Sequence, residues 1–214
     1  DFIPLLEEVM LEVKRDARLI VMRDSADIEL PQTTLKIEAI FDELFINTDQ
    51  YFSFPDFDEN IRATTFYTTG TTGNPKAVAY SHRQLVLHTM GILATFGPMS
   101  AENRLHNRDV YMPITPMFHV HGWGFPYAAT MLGLKQIYPN RYVPNRLAEL
   151  VCEHKVTFSH CVPTILHMLL DSDAAASADL SNWKLIIGGS ALSRGLAERA
   201  LDKGINLFSA YGLS

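Results

Sequence analysis

Cysteine is scarce: the 214 residues hold only Cys152 and Cys161, each inside an apolar run. That scarcity excludes a disulfide framework and fits buried, reduced thiols in a cytoplasmic protein. A basic excess is missing too, since 18 Lys and Arg against 24 Asp and Glu leave a net charge of −6. Nucleic-acid backbones need clustered cations, so no such partner is expected. Every long apolar stretch is broken well before about eighteen residues, which leaves no membrane span to read. Internal repeats and low-complexity tracts are absent. The chain opens on the acidic, amphipathic "DFIPLLEEVMLEVKRD", with neither an initiator Met nor a basic leader. It is therefore expected to begin inside a longer protein. The remainder is of ordinary soluble globular composition, 47% hydrophobic and 20% charged, and long enough for a sizeable core.

What is present alternates. Leu5, Leu6, Val9, Met10 and Val13 recur at helical spacing, and "RLIVM" (18–22) then reads as a short buried strand. "LKIEAIFDELF" is expected as a second amphipathic helix. "NTDQYFSFPDFDEN" (47–60) reads as a loop whose aromatics pin it to the surface. "ATTFYT" and "KAVAYS" read as strands, and Ser81 as the N-cap of "HRQLVLHTMGILATF". "DVYMPI", "LKQIYP", "TFSHCV", "KLIIGG" and "INLFSAYG" continue as strands. Helices "WGFPYAATMLG", "RLAELVCEH", "PTILHMLLD" and "SRGLAERALDKG" lie between them, with Pro163 in a first turn and Gly204 at a C-terminus. Strand–helix–strand repetition predicts an α/β fold, a largely parallel sheet layered with helices. Residues 171–181, "DSDAAASADLS", are the one linker-like stretch.

The most unusual segment is "FYTTGTTGNPKAVAYSH" (66–82). Between two strands it concentrates hydroxyls on Thr68, Thr69, Thr71 and Thr72, freedom at Gly70 and Gly73, and a cation at Lys76. Glycines let the chain curl so that successive N–H groups face inward as an anion-binding nest, which suits a polyphosphate. It is not a Walker A loop, because Lys76 follows proline and precedes Ala77. The plain alternative is a Thr/Gly-rich hairpin with a solvated lysine.

"YTTGTTGNPKA" resembles the phosphate-loop signature of the adenylate-forming superfamily, which includes acyl-CoA synthetases, firefly-type luciferases and peptide-synthetase adenylation domains. Three further stretches match in order: "PMFHVHGWG", "IIGGSALS" and "SAYGLS". The run from "YMPITPMFHV" to "LKQIYP" is most similar to the medium- and long-chain fatty acyl-CoA synthetase branch. The resemblance implies part of that family's large N-terminal domain. It also implies a two-step reaction: a carboxylate attacks the α-phosphate of ATP to give an acyl-adenylate, and coenzyme A then displaces AMP. Both reactants of the first step are anions, so catalysis rests on charge neutralisation and positioning.

Residue by residue, the resemblance assigns the β- and γ-phosphates to Thr68, Thr69, Gly70, Thr71, Thr72, Gly73 and Lys76, with Thr69 near Mg²⁺. Lys76 and His119 carry the catalytic roles. His119 and Trp123 line the acyl side, Trp123 four residues on and on the same face if the stretch is helical. Gly188, Gly189 and Ser190 end a strand against adenine, faced by Ser209, Ala210, Tyr211 and Gly212, with Ser214 at the family's threonine position. Taken alone, His119 would be a boundary histidine and Trp123 a core residue, and the glycines would serve a turn. His119 and His121 lack a third metal ligand nearby. His82, His88, His154, His160 and His167 fall in no pattern and are read as structural. Ala77 stands where the family has glycine. The metal-binding glutamate, the ribose-binding aspartate, the hinge and the small C-terminal domain are expected to follow Ser214. Residues 1–214 are thus read as one incomplete domain whose parent uses ATP, Mg²⁺, coenzyme A and a fatty acid, with a ligase for aryl or other carboxylic acids, a non-catalytic nucleotide-binding module and a homodimer left open.

Overall fold

Strands that read as unbroken apolar runs, such as "KLII", call for cover on both faces, the environment of a parallel sheet. The computed structural model describes residues 2–13, 18–23, 25, 27–30, 32–46, 51–68 and 73–212, and its contacts divide the chain into two units, 1–56 and 57–214.

The first unit holds α1 (Ile3–Glu12), β1 (Leu19–Val21) and β2 (Ile37–Ile40), followed by a 3₁₀ turn over Phe41–Phe45. The second helix expected over "LKIEAIFDELF" does not form. Its first half pairs in parallel with β1, from Leu19 opposite Ile37 to Val21 opposite Ile40. The backbone of "LIV" needs a ladder partner, and the β-branched Ile37 and Ile40 suit one. The second half is left too short for a helix and closes in one turn, Ile46 N–H donating to the Glu43 carbonyl at 3.2 Å. Glu7 on α1 accepts from the Thr33 hydroxyl at 2.6 Å and the Thr34 N–H at 2.8 Å. Tyr51, Phe52 and Phe54 are exposed, which corrects the expectation for these three aromatics of the loop, whereas Phe57 packs against His82 with ring centroids 4.5 Å apart. Phe52 and Phe54 pack edge-on against each other instead.

The second unit begins with an antiparallel hairpin, β3 (Arg62–Thr68) and β4 (Lys76–Ser81), running into α2 (His82–Phe96). Ser81 caps α2 as expected. The Gln84 N–H donates to its hydroxyl while the Gln84 side chain accepts from the Ser81 N–H at 2.8 Å, satisfying two otherwise unpaired donors.

Five parallel strands follow: β5 (Val110–Pro113), β6 (Lys135–Gln136), β7 (Phe158–Cys161), β8 (Lys184–Ile187) and β9 (Asn206–Ser209). Their order is β6-β5-β7-β8-β9, so the chain leaves β5 in opposite directions on its two sides. Between β5 and β6 lie α3 (Val120–Trp123), a single turn, and α4 (Phe125–Met131). The later crossovers carry α5 (Pro144–His154), α6 (Pro163–Leu170) with α7 (Asp173–Ser177), and α8 (Arg194–Asp202).

Strand alternation sorts the core by face. Tyr111, Phe158 and Ile186 join Ile92 of α2 and Phe125, Ala128 and Ala129 of α4. Met112, Cys161, Leu185 and Ile187 join Leu147 and Val151 of α5, Leu166 and Leu169 of α6, and Leu196 of α8. One face is therefore covered by α2 and α4, the other by α5 to α8. Helices change sides at β5, and that is a topological switch point.

Two local expectations change here. Residues 171–181 are not a linker: Ser172 caps α7, Ala175 is fully buried, and Lys203 Nζ donates to the last α7 carbonyls, Ala175 O and Ala176 O, both at 2.9 Å. Of the two thiols, Cys161 is buried and its pKa is pushed up by that burial, whereas Cys152 is exposed on α5.

Candidate active site

In a switch-point sheet, ligands bind outside the carboxyl ends of the strands, where loops diverge to the two faces. Here those ends are Pro113, Cys161, Ile187 and Ser209, and the residues just after them form the candidate site.

The hairpin forms one side of the candidate site. Thr68 pairs with Lys76 across β3 and β4, and the Thr68 hydroxyl points at the Lys76 carbonyl at 3.5 Å. Gly73 has φ +120°, a conformation that side chains rarely adopt, and nothing lies within 4 Å of where its Cβ would be. Lys76 is exposed and makes no ion pair with a described residue, so its charge stays available at the mouth of the hairpin. Hydroxyl, open glycine and cation fit an oxyanion ligand. Thr69, Gly70, Thr71 and Thr72 lie outside the described residues, and so does Ser214. The metal role assigned to Thr69 falls there as well.

A second side is built on α3. After Thr115 the chain passes through Pro116 to an exposed His119, in extended conformation. It then winds left-handed through Val120 (φ 45°), His121 (53°), Gly122 (59°), Trp123 (58°) and Gly124 (79°). An L-residue in that region costs roughly 1–2 kcal/mol, so Val120, His121 and Trp123 together store roughly 3–6 kcal/mol. Such strain persists where surrounding contacts over-determine it, and it concentrates at functional sites. Trp123 therefore does not share a right-handed helical face with His119. Their relation is set by this turn, which corrects the i, i+4 expectation.

Contacts made by Trp123 give the turn its purpose. Its indole lies 5.2 Å, centroid to centroid, from His160 on β7. A Cβ on Gly188 would stand 3.2 Å from the same ring and 3.0 Å from the Ala210 carbonyl oxygen. Gly189, at φ +83°, places its own hypothetical Cβ 3.9 Å from the indole and 3.1 Å from Val162. The absence of a side chain at 188 is thus what lets the tryptophan come this close to the end of β8, whereas Gly189 answers to its positive φ and to Val162. Gly188 is buried and its N–H donates to Cys161 O at 3.2 Å, while Ala210 N–H donates to Ile187 O at 2.8 Å. Ser190, Ser209, Ala210, Tyr211 and Gly212 are exposed beside this junction, Tyr211 at 88%. The exposed Tyr211 ring is available for stacking.

His160, read from the sequence as merely structural, is the floor of this site. It is fully buried, with Phe125 and Tyr111 stacked near it at 5.0 and 5.7 Å. Tyr111 OH is 2.6 Å from its Nε2, and Thr115 Oγ1 is 2.9 Å from its Nδ1. Thr115 Oγ1 also donates to the His160 carbonyl at 3.3 Å, so the consistent pattern is Nδ1–H donating to Thr115 and Tyr111 O–H donating to Nε2. Burial pushes the His160 pKa down to about 3 and raises that of Tyr111, keeping both neutral. The signal available beforehand was a lone histidine in the apolar strand "TFSHCV". Buried polar groups are satisfied, but which residues satisfy them was not legible.

A cavity of about 670 Å³ lies at the opposite, amino end of the sheet. There Lys184 Nζ is held at 2.7 Å by Asp109 Oδ1 and at 2.7 Å by Arg104 O, and Thr157 donates to Asp109. None of the sequence-predicted site residues lines it. Among the described residues, no group of three or more His, Cys, Asp or Glu is arranged to hold a metal.

Comparison with known proteins adds three findings. The model of the family described as "AMP-binding enzyme" matches residues 7–214. A 3-methylmercaptopropionyl-CoA ligase of Ruegeria pomeroyi is 35% identical and a long-chain-fatty-acid–CoA ligase of Thermus thermophilus is 36% identical. Each alignment takes in all of this chain and 39% and 37% of those proteins. The chain thus spans about two-fifths of the length of these curated relatives. Among solved structures, the luciferase-like enzyme of the mealworm Zophobas morio superposes with a TM-score of 0.74 at 18% identity, over 99% of this chain and 46% of that one. The inhibitor-bound N-terminal domain of FACL13 from Mycobacterium tuberculosis superposes with 0.68 at 21% identity, over 83% and 44%. At those identities the likeness is one of fold: mixed α/β, a parallel sheet between helices.

Proposed function

This chain belongs to the AMP-binding enzyme family, and from that premise we propose that the longer protein carrying it activates a fatty acid with ATP and transfers it to coenzyme A. The observation that carries the reading is the close approach of the Trp123 ring to His160, 5.2 Å between centroids, and to Gly188, where a Cβ would stand 3.2 Å from it. This approach sets the turn over Val120–Gly124 beside the carboxyl ends of β7 and β8, which in this reading is where the carboxylate and the α-phosphate meet.

In this reading, Thr68, the open backbone at Gly73 and Lys76 hold the β- and γ-phosphates and offset their charge. Mg²⁺, when bound to the nucleotide, supplies further neutralisation of those oxygens. His119, exposed at the head of the turn, orients the carboxylate. Trp123 closes the space between acid and nucleotide, excluding water from the adenylate. Tyr211 offers a face to adenine beside Gly188. Because attacking and leaving groups are both anionic, positioning and charge compensation supply most of the acceleration. Residues 1–214 form one incomplete domain in this proposal, and the chain alone turns over poorly.

The test is ATP–pyrophosphate exchange by the full-length protein with and without saturated fatty acids. Exchange that depends on the acid supports activation. Equal rates with no acid overturn it and favour a nucleotide-binding module of the same fold. A second substrate reading is favoured by the 35% relative named as a 3-methylmercaptopropionyl-CoA ligase: a short or other carboxylic acid. Exchange that peaks with such an acid, in a series running from 3-methylmercaptopropionate to long saturated chains, selects it.

A further inference from the structure

His121 belongs to none of the roles above, yet it occupies the middle of the strained turn and reaches the hairpin. Its Nε2 lies 2.7 Å from Thr64 Oγ1, across 57 residues of sequence. Its ring meets Phe66 edge-on at 5.2 Å, with Tyr127 and Tyr80 at 6.1 and 6.3 Å. Thr64, Phe66 and Thr68 follow one another at intervals of two along β3, so all three occupy one face of the strand. The face against which His121 seats is therefore the face that carries Thr68 to the start of the phosphate loop. At the other end of the turn, two residues on, Trp123 rests on His160 and Gly188. The left-handed winding is what makes both contacts possible, since it places His121 toward the hairpin and Trp123 toward the sheet.

We propose that the His121–Thr64 pair is a positioning strut that sets the register between the phosphate-holding hairpin and the acid-side turn. The assignment rests on the functional reading given above. His121 acts through Thr64 and the strand and does not touch the reacting atoms. In-line attack depends on the separation of these two halves, so the strut governs the adenylation step. Once pyrophosphate has left, the hairpin has no phosphate to hold and the strut no longer matters.

The test uses full-length protein with Thr64→Val, Thr64→Ser, His121→Phe and the Thr64→Val/His121→Phe pair. Thr64→Val keeps the shape and removes the hydroxyl, and His121→Phe keeps a ring against Phe66 and removes the nitrogen. The expected result is that kcat for acid-dependent exchange falls about 10- to 100-fold in either single variant, the scale of a misplacement near 1 Å. KM for ATP and acid should change far less. The double variant should be no worse than the singles, Thr64→Ser should restore the rate, and thioester formation from preformed acyl-adenylate should stay at the unaltered rate. Exchange by Thr64→Val at the unaltered rate overturns the strut alone. An equal loss in both half-reactions, accompanied by a lowered melting temperature, also overturns it and leaves the bond a structural one. Absence of acid-dependent exchange in the unaltered protein overturns the functional reading and the strut with it.

Discussion

His160 is fully buried, and both of its ring nitrogens have partners at 2.6 and 2.9 Å. Protonation would break the acceptance from Tyr111, and burial already holds its pKa at about 3 against an ordinary 6.5. The folded state therefore takes up no proton here while the unfolded chain does, and the contribution to stability is lost as pH falls from 6.5 toward 3. Each unit of pH within that window removes about 1.4 kcal/mol, so at pH 4.5 roughly 2–3 kcal/mol has gone relative to pH 7. His160→Gln, which can still accept from Tyr111 and donate to Thr115, should be less stable at pH 7 but flatter with pH. Urea unfolding of both proteins between pH 7 and 4.5 measures the difference in slope. Lys76 is the contrasting case, an exposed cation with no described ion-pair partner. Lys76→Ala should lower adenylation on the order of 10²-fold, as when one charge-stabilising donor is removed, and spare thioester formation from preformed adenylate. The two half-reactions assayed separately decide it.

At the scale of elements, the turn over Val120–Gly124 and the end of β8 behave as one packed joint. A Cβ on Gly188 would be squeezed between the Trp123 ring at 3.2 Å and the Ala210 carbonyl oxygen at 3.0 Å, and the latter is backbone that does not swing aside. Gly188→Ala should destabilise by roughly 1–3 kcal/mol through overpacking and raise the KM for ATP. Gly195 in α8 has nothing within 4 Å of its hypothetical Cβ, so Gly195→Ala should stabilise by roughly 0.5–1 kcal/mol and leave kinetics unchanged. Melting curves and KM for the two variants separate a local packing effect from a general glycine effect. Trp123→Ala tests the other side of the joint. Buried methylenes contribute roughly 0.8 kcal/mol each, so opening the passage should alter the ratio of kcat/KM between long and short fatty acids. A uniform loss over the series, with a large fall in Tm, would make Trp123 a core residue only.

For the molecule as a whole, the two ends of the parallel sheet divide the work. The carboxyl end carries the candidate site, and the amino end is cross-linked by Asp109 and Lys184, both nearly fully buried. This ion pair ties β5 to β8, and the Arg104 carbonyl and Thr157 hydroxyl complete its hydrogen bonds. Removing one partner strands the other charge out of water, which costs about 3–5 kcal/mol. Lys184→Met should therefore lower the urea midpoint markedly, and Asp109→Asn/Lys184→Met should recover part of the loss. Steady-state KM values of folded Lys184→Met should stay close to normal, because the pair is at the far end from the site.

Local chemistry alone was enough to read the alternation of strands and helices, the Ser81 cap, the Pro163 start and the Thr/Gly/Lys hairpin. Each depends on side chains a few residues apart, and so each is written in consecutive letters. The same holds for the family membership, whose motifs are short and ordered. Tertiary structure alone decided the rest. "IEAI" became a strand because "LIV" needed a ladder partner, and 173–177 became a capped helix whose Ala175 and Ala176 carbonyls Lys203 reaches. Cys152 proved exposed because the burial of an α5 position depends on what covers that helix. The hydrogen bonds of the His160 floor and the His121–Thr64 bond, which anchors the left-handed turn, join residues 45 to 57 apart. Contacts at that range exist only once the sheet has folded, and they store strain that no local preference would choose.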